Sequence, residues 1–380
     1  MNSIEFTARL KQTALSVGFE LSGACPAVAP RGMASLADWL KAGYAGNMTY
    51  LADRRAAYEH PRHILSGARG LLMLGKPYSS AMASDEKAGH GRIARYAAGP
   101  VDYHDDIRKR LKTLGRFAKE LQPGVRVRGV VDTAPLLERD FAQLAGLGWI
   151  GKNTMLLNRR LGSYFFLAAL VLDRELAYDS APQSGYCGRC SACLDACPTN
   201  AFPRPYVLDA TRCISYLTIE WQGPIPRELR PAIGNRLFGC DVCQEVCPWN
   251  RRAAKTMEPS RAGSFPSSLS QPLHALFKLS DETFREQFRH TVFWRVRRRG
   301  LLRNAAIVLG NQGVAESHDA LARAQRDPEP VVRGAAAWAL GRIGTVAALE
   351  TLRDQLDVET DPTVRDEVEQ ALRENVRREP

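Results

Sequence analysis

Cys187-Gly-Arg-Cys190-Ser-Ala-Cys193-Leu-Asp-Ala-Cys197-Pro198 spells C-x2-C-x2-C-x3-C-P, and Cys240-Asp-Val-Cys243-Gln-Glu-Val-Cys247-Pro248 follows, with Cys213 alone between the two runs. Thiolates are soft ligands suited to iron-sulfur clusters, and this spacing brings three sulfurs to one cluster while the fourth reaches a second. The crossed rule assigns Cys187, Cys190, Cys193 and Cys247 to one 4Fe-4S cluster. It assigns Cys197, Cys213, Cys240 and Cys243 to the other, with Cys213 replacing the residue that the short run lacks. Zinc sites are usually built on two C-x2-C pairs, and disulfides need an oxidising compartment, so neither explains the pattern. The ninth cysteine, Cys25, reads as a small buried apolar residue.

The module is set within 380 residues, long enough for two or three domains with their own cores. A net charge of +11, from 52 Lys and Arg against 41 Asp and Glu, favours a polyanionic partner such as nucleic acid. The N-terminus shows no basic start followed by an apolar core, and the longest apolar run, residues 164–172, is too short to span a bilayer. A soluble, cytoplasmic protein is expected.

Residues 1–180 read as an α/β domain. Helical spacing covers 4–17, 34–42 and a basic stretch from 105 to 121; apolar runs at 70–75, 125–131 and 164–172 read as strands. Gly146-Leu-Gly148-Trp-Ile-Gly151-Lys152-Asn153 matches G-x-G-x-x-G and nearly matches a P-loop, but it follows a helix, and Asn153 stands where the P-loop needs Ser or Thr. It reads as a helix C-cap and turn. Asp132-Thr133-Ala134-Pro135 joins a strand to a helix. Either Asp132 or Thr133 caps that helix, or Asp132 is a carboxyl at a strand end that acts as a general acid. His60, His63, His90 and His104 are scattered, without metal spacing; in Asp102-Tyr103-His104 the cobalamin motif D-x-H-x-x-G fails at Ile107.

Residues 181–260 carry the cluster module, entered by a linker at 181–185. Trp249 can shield a cluster from water. A Ser- and Pro-rich boundary at 260–272 leads into residues 261–380. There Arg289, Arg295, Arg297, Arg298, Arg299 and Arg303 occur with no acid among them, a credible phosphate-binding patch. Leu301-Leu-Arg-Asn-Ala-Ala-Ile-Val-Leu309-Gly310 recurs as Val332-Arg-Gly-Ala-Ala-Ala-Trp-Ala-Leu340-Gly341, the signature of HEAT-like helix pairs. A polar last copy, with Glu367, Glu369, Arg373 and Glu374, fits a capping repeat.

Taken together, Val131-Asp132-Thr-Ala-Pro-Leu-Leu-Glu-Arg139, Gly148-Trp-Ile-Gly-Lys-Asn153, the Cys187 run, Cys213-Ile-Ser-Tyr-Leu-Thr-Ile-Glu220, Gly223-Pro-Ile-Pro226 and Gly239-Cys240 through Asn250 closely resemble epoxyqueuosine reductases. The resemblance spans nearly the whole chain. It implies an α+β multidomain protein: an α/β cobalamin-binding domain, a ferredoxin-like two-cluster module and C-terminal α-helical HEAT-like repeats. It further implies cobalamin held without a protein His ligand, two 4Fe-4S clusters, and reduction of epoxyqueuosine in tRNA to queuosine with Asp132 as proton donor. Binding positions implied for the corrinoid are Arg55, Tyr96, Asp132, Asn153, Leu156, Leu167 and Leu170, with Glu220, Trp221, Gln222 and Gly223 as further positions. The last three fall where the family approaches tRNA. The other partner implied is an external electron donor, to a protein working as a monomer without a membrane. The rival readings are a corrinoid dehalogenase acting on a small molecule and an electron carrier with an RNA-binding repeat.

Overall fold

The computed structural model describes residues 1–78, 87–180, 185–254 and 271–376. The linker at 181–184 and most of the Ser- and Pro-rich boundary, 260–270, lie outside the described residues. Two compact units emerge, and the chain passes between them more than once. The first comprises 1–80, 101–211 and 242–261; the second comprises 81–100, 212–241 and 262–380.

The first unit is built on a four-stranded sheet in which Leu21–Pro26 pairs with Gly70–Pro77, then Phe165–Leu172, then Val127–Val131. The two inner strands are apolar on both faces because both faces are covered. Leu72, Leu74, Ala168, Leu170 and Leu172 point to one side, against Phe6 and Leu10 of helix Ser3–Ser16 and Leu111 and Leu114 of helix Tyr103–Leu121. Leu71, Met73, Leu167, Ala169 and Val171 point to the other, against Phe141 of helix Glu138–Leu144. Every pairing in this sheet is antiparallel. The rule that ligands gather at strand C-termini belongs to parallel sheets, so it does not place Asp132 at a site. Its surroundings do.

The second unit contains Arg297–Gln312, His318–Ala324, Pro330–Ile343, Val346–Val358 and Pro362–Val376, a run of packed helices. The repeated sequence has a repeated geometry. Gly313 and Gly344 end their helices at φ 64° and 67°, the left-handed conformation that glycine adopts without strain. Gly310 lies so close to the next long helix that a Cβ there would stand 2.8 Å from Ala339 Cα. Glu367 departs from expectation. It is not a solvated capping residue: Arg230 Nη1 donates to its Oε2 at 2.9 Å, and Arg227 Nη1 donates to the same oxygen at 2.5 Å. Among the described residues no helix is long and apolar enough to cross a membrane.

Because the neighbour at Gly310 is backbone, Gly310→Ala must push two helices apart. A loss of about 1–3 kcal/mol is expected, read as a lower thermal midpoint for the helical unit. Gly313→Ala, with nothing among the described residues within 4 Å of its Cβ, should cost only the strain of its positive φ.

Candidate functional site

Asp132 follows directly on the last residue of the edge strand Val127–Val131. The capping alternative fails: the next helix starts at Glu138, and its N-cap, Leu137, makes no side-chain cap bond. The Asp132 carboxylate instead meets the first turn of helix Tyr103–Leu121. His104 Nε2 lies 2.7 Å from Asp132 Oδ1, and the Tyr103 hydroxyl donates to Oδ2. On the far side of the ring, His104 Nδ1 lies 2.5 Å from Asp102 Oδ1, the same oxygen that caps the helix by accepting from the His104 backbone N–H. Tyr103 stacks between His104 and Phe166, with ring centroids 4.0 and 4.1 Å away.

The two members of the central pair differ in exposure. The His104 side chain is 5% exposed and that of Asp132 is 34% exposed, so only the carboxyl is open to a substrate. Burial pulls the His104 pKa down, but hydrogen bonds and charge from Asp102 and Asp132 overcome it, and the net shift is upward. Nearby, burial pushes the Glu138 carboxyl up to about 7; Arg139 and His104 pull against it and Asp132 adds to it. A carboxyl in that range exchanges a proton near neutrality. The sequence reading missed His104, Asp102, Tyr103 and Glu138 as members of this group. His104 is one of the scattered histidines in the sequence, and nothing in linear spacing shows that one imidazole spans two carboxylates.

Other candidate positions are more dispersed. In the first unit, Arg55 begins the short helix Arg55–Tyr58. Buried Asn153 donates from Nδ2 to the Cys243 carbonyl at 3.2 Å and accepts from the Met155 N–H. Leu156 and Leu167 share one apolar cluster, whereas Leu170 points to the opposite face of the sheet, so these leucine side chains do not form one wall. Tyr96 belongs to the second unit, in the short helix Arg95–Ala97.

The cluster-ligand candidates sort clearly. Cys187, Cys190, Cys193 and Cys247 line one cavity of about 240 Å³ with Lys152, Asn153, Leu157, Tyr186 and Trp249. Lys152 Nζ holds the ligand loop by donating to the carbonyls of Gly188 at 2.8 Å and Cys190 at 2.9 Å. Burial and the neighbouring Cys247, Cys187 and Cys190 push the Cys193 thiol up to about 11. Burial also raises Cys247, opposed by hydrogen bonds from the backbone N–H groups of Trp249 and Asn250. Thiols crowded so closely become thiolates only around a cationic core, and backbone N–H donors are what cluster sulfurs receive. The residues therefore fit a cluster. Cys197 and Cys243 also lie in the first unit, and Cys213 and Cys240 in the second. Cys25 is fully buried, its thiol pushed up to about 12 by burial and then by Asp179.

In the second unit, Arg303 is fully buried. Its guanidinium donates to the carbonyls of Trp221 and Gly223, both at 2.7 Å, and of Leu217 at 2.8 Å. Arg295 Nη1 approaches Glu220 Oε1 at 3.4 Å. The loop carrying Glu220, Trp221, Gln222 and Gly223 is thus held from below. The expected arginine patch needs correction. Arg303 and Arg298 are buried, Arg298 against Asp327 and the Leu279 carbonyl, because long side chains on an inward helix face are used there as structural donors. Arg289, Arg295 and Arg297 remain exposed.

Comparisons with known proteins match this chain over most of its length. A family model described as Epoxyqueuosine reductase QueG, DUF1730 matches residues 59–133, a 4Fe-4S double cluster binding domain matches 186–250, and HEAT repeats match 295–373. The epoxyqueuosine reductase of Pseudomonas aeruginosa is 44% identical over 352 residues, covering 88% of this chain and 94% of that protein. That of Escherichia coli is 38% identical over 347 residues, covering 89% of each. A crystal structure of epoxyqueuosine reductase with an epoxyqueuosine-modified tRNA stem loop superposes with a TM-score of 0.90 at 32% identity, covering 99% of this chain and 100% of that one. A Bacillus subtilis epoxyqueuosine reductase, with its catalytic aspartate loop swung out of the active site, gives 0.88 at 32% identity, covering 98% and 99%.

A folded-state pKa raised above its ordinary value of 6.5 gives His104 a stability contribution that is complete below that value and lost as pH rises through the raised one. The thermal-midpoint difference between wild type and His104→Gln should therefore shrink as pH rises above the ordinary value of 6.5 toward the raised one. A constant difference over that rise would show that the fold does not favour the charged ring.

Proposed function

The chain belongs to the epoxyqueuosine reductase family, and on that premise we propose that it reduces the epoxide of epoxyqueuosine in tRNA to queuosine, the last step of queuosine biosynthesis. It is an oxidoreductase. Removing an epoxide oxygen as water to leave an alkene takes two electrons and two protons, so the site must hold a proton source and receive electrons from outside. The observation that carries the reading is the pairing of half-exposed Asp132 with buried His104.

When bound, the two 4Fe-4S clusters supply a one-electron conduit and cobalamin supplies the low-potential reductant. Cys187, Cys190, Cys193 and Cys247 would hold one cluster, and Cys197, Cys213, Cys240 and Cys243 the other. Both ring nitrogens of His104 are engaged by carboxylates, which leaves that imidazole no lone pair for cobalt and fits a corrinoid bound without it. Arg55, Tyr96, Asn153, Leu156, Leu167 and Leu170 are proposed around the corrinoid, with Leu170 contributing through backbone because its side chain is committed to the core.

Asp132 delivers the proton to the departing epoxide oxygen. His104 Nε2 lies 2.7 Å from Asp132 Oδ1, close enough for the ring to resupply the carboxyl, while Asp102 fixes the ring's orientation through Nδ1. Tyr103 fixes the second carboxylate oxygen, and Glu138 provides another exchangeable proton close by. Trp221, Gln222 and Gly223, with Glu220 beside them, face the tRNA, and the exposed arginines take its phosphates. An external donor provides the electrons to a cytoplasmic monomer.

Asp132→Asn should lower turnover of epoxyqueuosine-modified tRNA by about 10²–10⁴-fold, with iron content and tRNA affinity unchanged; turnover within threefold of wild type would remove the assigned role. Replacing Arg289, Arg295 and Arg297 together by Ala should weaken tRNA binding and lower the slope of log affinity against log salt by about one per lost phosphate contact. An unchanged slope would place the tRNA elsewhere.

A further inference from the structure

The cavity of Cys187, Cys190, Cys193 and Cys247 opens through a rim whose chemistry the reduction of tRNA does not use. Cys190 is exposed, although Cys247 is buried. Two aromatic rings line the cavity, Tyr186 at 37% exposure and half-buried Trp249, and each carries an arginine over its face. Arg159 lies 4.1 Å from the Tyr186 ring centroid and Arg252 lies 5.5 Å from that of Trp249. Among the described residues the cavity lining includes Lys152 and Arg252 and no carboxylate. Exposed Arg189 and Arg251 flank the ligand cysteines in sequence, and exposed Asp195 is the acid of the Cys187 loop. Rings and arginines grouped around a thiolate site are the residue types enriched at the cores of protein interfaces.

From this arrangement we infer that the Tyr186, Trp249, Arg159 and Arg252 rim is the docking surface of a small acidic electron-transfer protein, which delivers electrons singly to the cluster held by Cys187, Cys190, Cys193 and Cys247. The inference rests on the proposed reduction and decides which of the two clusters receives electrons. Each docking oxidises the carrier by one electron and reduces the cluster by one; two dockings supply one epoxide, and the two protons enter separately through the group of Asp132, His104 and Glu138. The positive rim draws the acidic carrier in and presents it to the ligand set that includes exposed Cys190. A nucleic-acid strand would use the same charge, and the test separates the two.

The test uses the full-length protein with both clusters reconstituted and a purified reduced flavodoxin as the probe carrier. Cluster bleaching is followed by stopped-flow absorbance, with dithionite as a small-molecule control. For wild type the flavodoxin rate should fall steeply as salt rises. In Arg159→Glu/Arg252→Glu it should drop at least about tenfold at low salt and lose that salt dependence, while dithionite bleaching and tRNA affinity hold. Should the double variant lose its cluster, Arg159→Gln alone, which lies off the cavity wall, carries the same expectation with a smaller drop. A wild-type rate indifferent to salt, or a variant that loses tRNA affinity but keeps its flavodoxin rate, overturns the proposal. Dithionite-driven turnover of modified tRNA, measured in parallel, reports on the reductase reading by itself.

Discussion

A single buried amide fixes the cluster site to the sheet. Asn250, three residues beyond Cys247, is 2% exposed and uses every polar atom of its side chain. Its Oδ1 accepts from the Ser163 N–H at 2.6 Å, and its Nδ2 donates to Ser163 Oγ at 2.9 Å and the Gln244 carbonyl at 2.8 Å. Ser163 Oγ also pairs with Gln244 Oε1 at 2.8 Å. A buried network this complete holds one arrangement, because any displacement leaves a donor or acceptor unpaired in a low-dielectric interior. The tolerance is tight: Gly162, at φ 64°, would place a Cβ 2.0 Å from Asn250 Oδ1. Ser163 leads directly into the strand Phe165–Leu172, so the last cysteine run is registered on the central sheet, and Cys247 is brought to the Cys187 loop.

The same device recurs in the second unit with a charge. Arg303 and Asn304 are both buried on helix Arg297–Gln312 and pair with backbone carbonyls: Arg303 with Leu217, Trp221 and Gly223, Asn304 with Thr218 and Leu237. Burial lowers the Arg303 pKa to about 9, helped by Arg230 and Arg299, yet its carbonyl partners keep the guanidinium fully engaged. Apolar packing alone gives a helix face and a crossing; these donors select where the Trp221–Gly223 loop rests. The arginine run thus divides into buried members, Arg298 and Arg303, and exposed ones, Arg289, Arg295 and Arg297.

At Asp132 the constraint is electrostatic. A carboxyl at a strand end is ordinary; here Asp132 shares an imidazole with a second carboxyl, and each hydrogen bond favours the charged ring while burial disfavours it. The helix start at Tyr103 does two jobs. Its cap, Asp102, satisfies the His104 backbone N–H and the ring nitrogen together, so the ordinary chemistry of a helix N-terminus also orients the imidazole.

Much was legible in the linear chain. The cysteine spacing identified the cluster module because a cluster's ligand loop is local in sequence, and the helical repeats were visible because each unit meets the same packing problem with the same small residues. The strands at 70–75 and 164–172 could be read because both their faces are buried. Sequence could not show that Asp132 would leave its neighbouring helix uncapped and pair with His104, 28 positions earlier. Nor could it tell Arg298 and Arg303 from Arg295 and Arg297, or join Asn250 to Ser163. Those decisions depend on which polar groups find partners once the apolar faces have closed. Hydrogen bonds between distant residues carry no periodicity to read, so the cysteine pattern was written in the sequence, while the partners of Asp132 and Asn250 came from tertiary structure.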